Sequence, residues 1–520
     1  MTLDRLHDEP CFSVTMRGAA SEATGPTRFF RGHTLDSTTR DDRPDGIFAE
    51  WSWDGRRLTV RTDRYGVAPL FYFHDGSRFA VSPSIVRLVD AGAPTRFDES
   101  ALAVFVRLGF FVGDDTPFRS IRAVPPDGTL TWDAGTVSVT GGYRLPETQR
   151  FSRREAIDGF IDLFRQAMRR RPGVEHDIVV PLSGGRDSRH ILLELCANGH
   201  PPDLTVTIPR FPPRASEDER LAPIVARELR VRHRLLEQRD ASFPSEYRKN
   251  WETHLCADEH AWYVAMVDQI AATARTVYDG LGGALSVPNR FLSPEALALF
   301  ERAEFHALAR RLLASNSRST EALFERVLNR GWYAALSLEH AVDRLAAELA
   351  RHRDAADPVK SFNFWNRIRR ELALQPYGLM KSVPTIYSPY LDHELYDFLS
   401  SLPPEVMSPT LSASDKSFHT DAILRGYPRF AHIPFEDKAA ARRDARAHDA
   451  RFVRDTARCL LPRAATRTTL LNRLYVLPRL AYSLARRSYR EAIGWLPIVA
   501  LYLFQLDAVA DRRHGAVDFA

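Results

Sequence analysis

The sequence predicts an α/β protein: a parallel sheet with helices on both faces and further helical additions, preceded by a β-rich α+β domain. Three observations predict it. Residues 177–198, DIVVPLSGGRDSRHILLELCAN, read as a buried strand, a glycine turn and a helix. From there to residue 278 strand and helix patterns alternate, which implies parallel strands joined by crossover helices. Residues 11–90 instead hold short β-prone runs broken by turn residues.

Taken in order, residues 12–16, 46–53, 57–62, 70–73 and 78–81 are the β-prone runs, with Asp54-Gly55 and Asp75-Gly76 as hairpin turns. Residues 97–108 read as a helix and 129–132 as part of a closing hairpin. A long amphipathic helix over 152–170 opens with the capping box Ser152-Arg153-Arg154-Glu155. Then come strands at 177–182, 204–208, 231–236 and 276–278, with helices at 216–229 and 259–274 between the last three. Residues 290–440 are mostly helical by periodicity. Domains are expected at 1–145, 146–440 and 441–520, the last a basic helical extension.

At 520 residues, 44% hydrophobic and 26% charged, the chain has the make-up of a soluble globular protein of two or three domains. Its 71 basic and 66 acidic side chains leave +5, too little at this length to imply a nucleic-acid partner. The excess concentrates in residues 442–490. Cys11, Cys196, Cys256 and Cys459 show neither C-x-x-C nor zinc spacing and read as reduced thiols of a cytoplasmic protein. The acidic start MTLDRLHDEP is not that of a signal peptide. Residues 492–506, interrupted by Gly494 and Pro497, fall short of the ~20 residues of a membrane helix. They read as a buried terminal helix, with peripheral membrane contact by the C-terminal region as the weaker alternative.

Between the strand and helix of 177–198 lies Ser183-Gly184-Gly185-Arg186-Asp187-Ser188. Two glycines let the backbone turn tightly and approach a ligand, and the helix start favours an anion. An acid in an anion cradle makes sense if the anion brings a divalent metal for Asp187 to hold. The phosphate loop G-x-x-x-x-G-K-[ST] does not occur. The hexapeptide resembles the PP-loop of ATP pyrophosphatases, which bind ATP there and cleave between its α- and β-phosphates.

Other segments resemble the asparagine synthetase family within that group. Thr62-Asp63-Arg64-Tyr65-Gly66-Val67-Ala68-Pro69-Leu70-Phe71-Tyr72, followed by Phe79-Ala80-Val81-Ser82, is similar to the end of the family's glutaminase domain, an Ntn-hydrolase fold. Residues 118–128 resemble its F-x-x-I-x-x-L-P-x-G, and Ala222, Val225, Ala226, Leu229 and His233 fall in matching places of a later helix–strand segment. His233 reads as a partly buried polar residue at a strand start. Ser388-Pro389-Tyr390-Leu391-Asp392 matches a further motif, with Asp392 as a helix cap.

Departures carry as much meaning. Glutamine-hydrolysing members use an N-terminal cysteine; here Thr2 follows Met1, the first cysteine is Cys11, and the segment before Phe48 is short. Glutaminase activity is therefore not expected, and Cys11 reads as a core residue. Where the family has Ser-Gly-x-Gly-x-Asp-Glu, this chain has Asp279-Gly280-Leu281-Gly282-Gly283-Ala284-Leu285, so either Asp279 takes over metal binding or the site is weakened. The family's catalytic lysine falls at Asp421, leaving Lys416 and Lys438 as candidate cations or as ordinary surface charges.

The resemblance implies ATP contacts at Leu182, Ser183, Gly184, Gly185, Asp187, Ser188, Val206, Asp279 and Gly280, magnesium at Asp187 and Asp279, and ATP and Mg2+ as cofactors. It implies a ligase that adenylates a small-molecule or peptide carboxylate and passes it to an amine. β-Lactam synthetases and lasso-peptide cyclases resemble this arrangement without glutaminase. Ammonia-dependent asparagine synthesis and a nucleotide-binding scaffold without turnover are the alternatives.

Overall fold

The computed structural model describes residues 8–511 apart from 19, 37–43, 174–175, 212–216, 240–241, 316–319 and 437–449. Ten strands build the N-terminal region: β1 (Phe12–Arg17), β2 (Ala20–Thr24), β3 (Arg28–Leu35), β4 (Asp45–Trp53), β5 (Arg57–Thr62), β6 (Phe71–His74), β7 (Arg78–Ser82), β8 (Ile121–Ala123), β9 (Thr129–Asp133) and β10 (Thr136–Thr140). They form two antiparallel sheets, ordered β2-β1-β7-β6-β8 and β10-β9-β5-β4-β3. Both Asp-Gly turns close hairpins, β4–β5 and β6–β7, with Gly55 at φ 101° and Gly76 at φ 89°. Strands β2 and β3 were not expected: β2 is exposed throughout and β3 is alternately exposed and half-buried, so neither spells a buried strand.

The two sheets face each other. Phe12, Val14, Phe79 and Val81 of one share a core with Trp51, Leu58, Val60 and Trp132 of the other. The outer side of the first sheet, through Phe71, Phe73 and Ile121, packs on α1 (Glu99–Leu108) and on helical residues from beyond position 250. The two large hydrophobic cores thus hold residues from either side of residue 145.

Helix α2 (Arg153–Arg169) begins at the expected capping box, in which Ser152 and Glu155 satisfy each other's backbone amides. It leads to β11 (Ile178–Pro181), α3 (Asp187–Ala197), β12 (Leu204–Thr207), α4 (Asp218–Glu228), β13 (His233–Leu235) and β14 (Thr276–Tyr278). The helix expected over 259–274 is shorter, a 3-10 turn at Ala261–Tyr263 and a helix at Val264–Ile270, because His260 takes a left-handed conformation at φ 73°. A fifth strand not read from the sequence, β15 (Thr385–Tyr387), completes a parallel sheet ordered β13-β12-β11-β14-β15. Successive strands leave β11 in opposite directions, so the order reverses between β11 and β14. A crevice opens at the carboxyl ends of strands at such a point.

Helix α5 (His393–Ser401) is capped by Asp392, which accepts the Glu394 and Leu395 amides. Asp392 also pairs with Arg170 at 2.5 Å and Arg171 at 2.8 Å, and both arginines reach Asp45 of β4. This buried cluster ties the antiparallel region to the parallel sheet. Helix α6 (Ser417–Gly426) lies against α2 and the glycine loop. The chain continues through α7 (Ala450–Arg467), α8 (Arg473–Ala485) and α9 (Leu496–Ala510). Helix α9 is buried over nearly its whole length, in line with the apolar run expected there, and no helix of the described residues is long and apolar enough to cross a membrane.

Candidate functional site

Strand β11 ends at Pro181 and α3 begins at Asp187, so the hexapeptide turns at the carboxyl edge beside β14. The Leu182 amide donates to Val206 O at 2.8 Å and its carbonyl accepts the Thr207 hydroxyl at 2.6 Å, which fastens the start of the loop to β12. Val206 itself is fully enclosed. The amides expected to serve an anion are already engaged: Ser183 N–H donates to Ser188 Oγ (3.0 Å), Gly184 N–H to Asp218 Oδ1 (2.7 Å) and Gly185 N–H to Ser183 Oγ (3.1 Å). An incoming phosphate reaches Gly184 only by displacing Asp218. The first turn of α3 has no side-chain cap, so the anion-favouring end of the helix lies there.

Asp187 opens that turn with its side chain 40% exposed. Two glycines after β14 make room for it: a Cβ on Gly280 would stand 3.1 Å from Asp187 Cβ, and one on Gly283 would stand 2.3 Å from Asp187 Cγ. The carboxylate therefore fills a cradle that only glycine leaves open. His419 Nδ1 of α6 lies 3.3 Å from Asp187 Oδ1 and 2.8 Å from Ser286 Oγ. Ser286 spends its proton on Gly283 O at 2.7 Å, so it accepts from His419, and the shared hydrogen resides on Nδ1. His419 Nε2 then accepts from His190 Nδ1 at 3.2 Å. Burial pulls the pKa of both imidazoles down, His190 well down, so the pair is neutral and His419 donates to Asp187 without charge.

Asp279 follows β14 as expected, but its oxygens are occupied: Oδ1 accepts Leu281 N–H at 2.8 Å and Oδ2 accepts Tyr263 O–H at 3.1 Å. Burial raises its pKa, and the charge of Asp187 adds to the rise. Asp279 shapes the glycine turn before it does anything else. Among the described residues no three His, Cys, Asp or Glu side chains gather as a metal-binding group. Ala284 is half-buried and Leu285 buried, at the two positions where the sequence resemblance implies an acid pair.

A segment from 250 residues downstream lies over the loop. Glu436 N–H donates to Gly184 O at 3.0 Å, and Arg189 donates to the carbonyls of Ile433 (3.1 Å) and Pro434 (2.8 Å). Phe435 receives the Arg186 and Arg189 guanidinium groups at 4.8 and 4.1 Å from its ring centre. Burial, helped by Arg186, brings the Arg189 pKa down to about 10. Arg186 also donates to Thr420 Oγ1 at 2.6 Å, and Thr420 donates to Lys416 O, so Lys416 sits one turn from the loop contact at the start of α6. Lys438 lies outside the described residues. Asp421 accepts from Arg153 of α2 at 2.8 Å. His419, Asp218 and Phe435 were not read as site residues. The only signal for His419 was its place in the lysine-bearing segment, three residues after Lys416.

Residues 38–143 match a glutamine amidotransferase domain. The chain is also 29% identical over 158 residues to asparagine synthetase [glutamine-hydrolyzing] 3 of Bacillus subtilis (strain 168), covering 29% of this chain and 25% of that protein. It thus spans about a quarter of the length of that relative. Glutamine phosphoribosylpyrophosphate amidotransferase of B. subtilis, solved with ADP and GMP, aligns with 53% of this chain and 59% of its own at 11% identity. Its TM-score of 0.15 is too low to bear on the fold.

Proposed function

We propose that this chain, an asparagine synthetase-family protein on the two sequence similarities just given, is an ATP-dependent amide-forming ligase that activates a carboxylate as its adenylate and does not hydrolyse glutamine. One observation carries the reading: Asp187, half-exposed at an uncapped helix start, is held by His419 in a glycine cradle at the point where the strand order reverses. The residues present fit both cofactors. The first turn of α3 would hold ATP phosphate oxygens, with Arg186 and Arg189 adding positive charge beside it. Asp187 would give Mg2+ one carboxylate oxygen, phosphate and water supplying the rest. When bound, the ion neutralises charge on the leaving pyrophosphate. In the expected sequence a substrate carboxylate oxygen attacks the α-phosphorus and pyrophosphate leaves. An amine then attacks the acyl carbon and AMP leaves with the bonding electrons.

Cys11 supports the absence of glutamine hydrolysis. It is the only cysteine before residue 145, its Sγ lies 3.9 Å from Arg87 O, and burial pushes its pKa up to about 11, so it remains a thiol. Ammonia-dependent asparagine synthesis and a scaffold that binds nucleotide without turnover compete with this reading. ATP–pyrophosphate exchange across candidate carboxylates separates the enzymes from the scaffold. Exchange with at least one carboxylate, cut about 100-fold or more in Asp187→Ala, is expected. Tight ATP binding with no exchange on any carboxylate, or an unaffected Asp187→Ala, would overturn the proposal.

A further inference from the structure

We propose that the outer face of α8 docks on an anionic lipid bilayer and holds the chain at a membrane surface without crossing it. Helix α8 starts at an Asn472 cap and buries Val476, Leu480 and Ser483. Its opposite side is apolar as well. Leu474, Pro478, Ala481, Tyr482 and Ala485 recur at helical spacing on one stripe and all are exposed. Leu474 is 91% exposed, Tyr482 47% and Leu484 38%, and these are three of the six large hydrophobic side chains exposed among the described residues. Beside them runs an open groove of about 1050 Å³, lined by Trp332, Leu461, Leu471 and Leu477, with Thr468, Arg473 and other polar groups along it. An exposed apolar stripe rimmed by polar groups marks an interaction site.

Charge decides the occupant. Residues 456–490 contain eight arginines and no aspartate or glutamate. Arg486, exposed at the end of the stripe, lies 5.8 Å over the Tyr482 ring, and Arg490 donates to the carbonyls of Ser483 and Leu484. An apolar stripe bounded by arginines, with a tyrosine among them, is the make-up of a helix lying in the plane of a bilayer interface. Anionic headgroups attract each arginine near the surface while the stripe enters the acyl boundary. A second copy is the poorer occupant, because a two-fold contact would set the arginines of one copy against those of the other.

The test is co-sedimentation of the full chain with vesicles of mixed phosphatidylglycerol and phosphatidylcholine, beside vesicles of phosphatidylcholine alone, at low and high salt. Binding to the anionic vesicles, released by salt, is expected. The double variant Leu474→Glu, Arg486→Glu should weaken partitioning by about ten-fold or more, since it places a charge in the stripe and reverses one beside it. Both side chains are exposed, so thermal unfolding should not change. Equal binding to both vesicle types, or an unaffected variant, overturns the proposal. So does the lack of vesicle binding, which would assign the face to an acidic protein surface instead.

Discussion

Replacing Gly283 with alanine moves the Asp187 carboxylate while leaving the fold in place. Gly283 does not take the left-handed backbone conformation, so alanine suits its φ. Its new Cβ would stand 2.3 Å from Asp187 Cγ and 2.7 Å from both carboxylate oxygens, where ordinary contact begins at about 3.5 Å. The carboxylate must therefore retreat by about 1 Å or more. Turning the side chain off its rotamer costs about 0.5–1.5 kcal/mol, and losing the His419 hydrogen bond costs a further ~1.5 kcal/mol. Loss of backbone freedom in the unfolded chain returns about 0.4–1 kcal/mol. The net is ~1–2.6 kcal/mol, a shift of a few degrees in a chain of this size. If Asp187 holds magnesium as proposed, misplacing its oxygen by that distance should lower turnover about 100-fold. ATP–pyrophosphate exchange measured beside thermal unfolding and calorimetric Mg·ATP binding reads both effects. Exchange in Gly283→Ala within about three-fold of the parent would refute the cradle as the device that aims Asp187. A loss of exchange tracking a large fall in Tm would refute the separation of site from fold.

Two further outcomes follow from groups elsewhere. Purified protein should release no glutamate from glutamine, and Cys11→Ser should leave amide formation unchanged, because a pKa of about 11 leaves the thiol almost wholly protonated at neutral pH; glutamate release abolished by that variant would reverse the reading. Asp45 is fully buried, and although burial alone would raise its pKa, Arg171, His393 and Arg170 bring it to about 2. Its folded value lies below the unfolded one, so its stabilisation, about 2–3 kcal/mol, is complete above pH ~4 and is lost as pH falls through about 2. Asp45→Asn should lower stability at neutral pH by about 3 kcal/mol, through the buried charge left on the arginines, and flatten unfolding between about pH 4 and 2. Parallel acid limbs in thermal unfolding of parent and variant would place the acid sensitivity elsewhere.

The strand, turn and helix of residues 177–198 were legible because each rests on neighbours along the chain: an apolar run, paired glycines, a helical repeat. The same holds for the Ser152 capping box, the Asp-Gly hairpins and the Asp392 cap, where a side chain meets an amide two or three residues away. Strands β2 and β3 escaped because a largely exposed strand needs no buried alternation, and β15, as short as β14, because it lies outside the strand–helix alternation that marked β14. The site divides in the same way. Asp187 and the glycines could be named from local spelling. That Asp218 would take the Gly184 amide, that Asp279 would spend its oxygens on Leu281 and Tyr263, and that His419 would aim Asp187 depended on which elements the fold brought together. His419 lies 232 residues from Asp187 and Glu436 lies 252 from Gly184, and pairings at that separation leave no periodicity in either segment. The chain alone determined which groups could be proposed for a phosphate site; the packing of α4, α6 and residues 433–436 on one loop decided which of their polar atoms are already bonded within the protein.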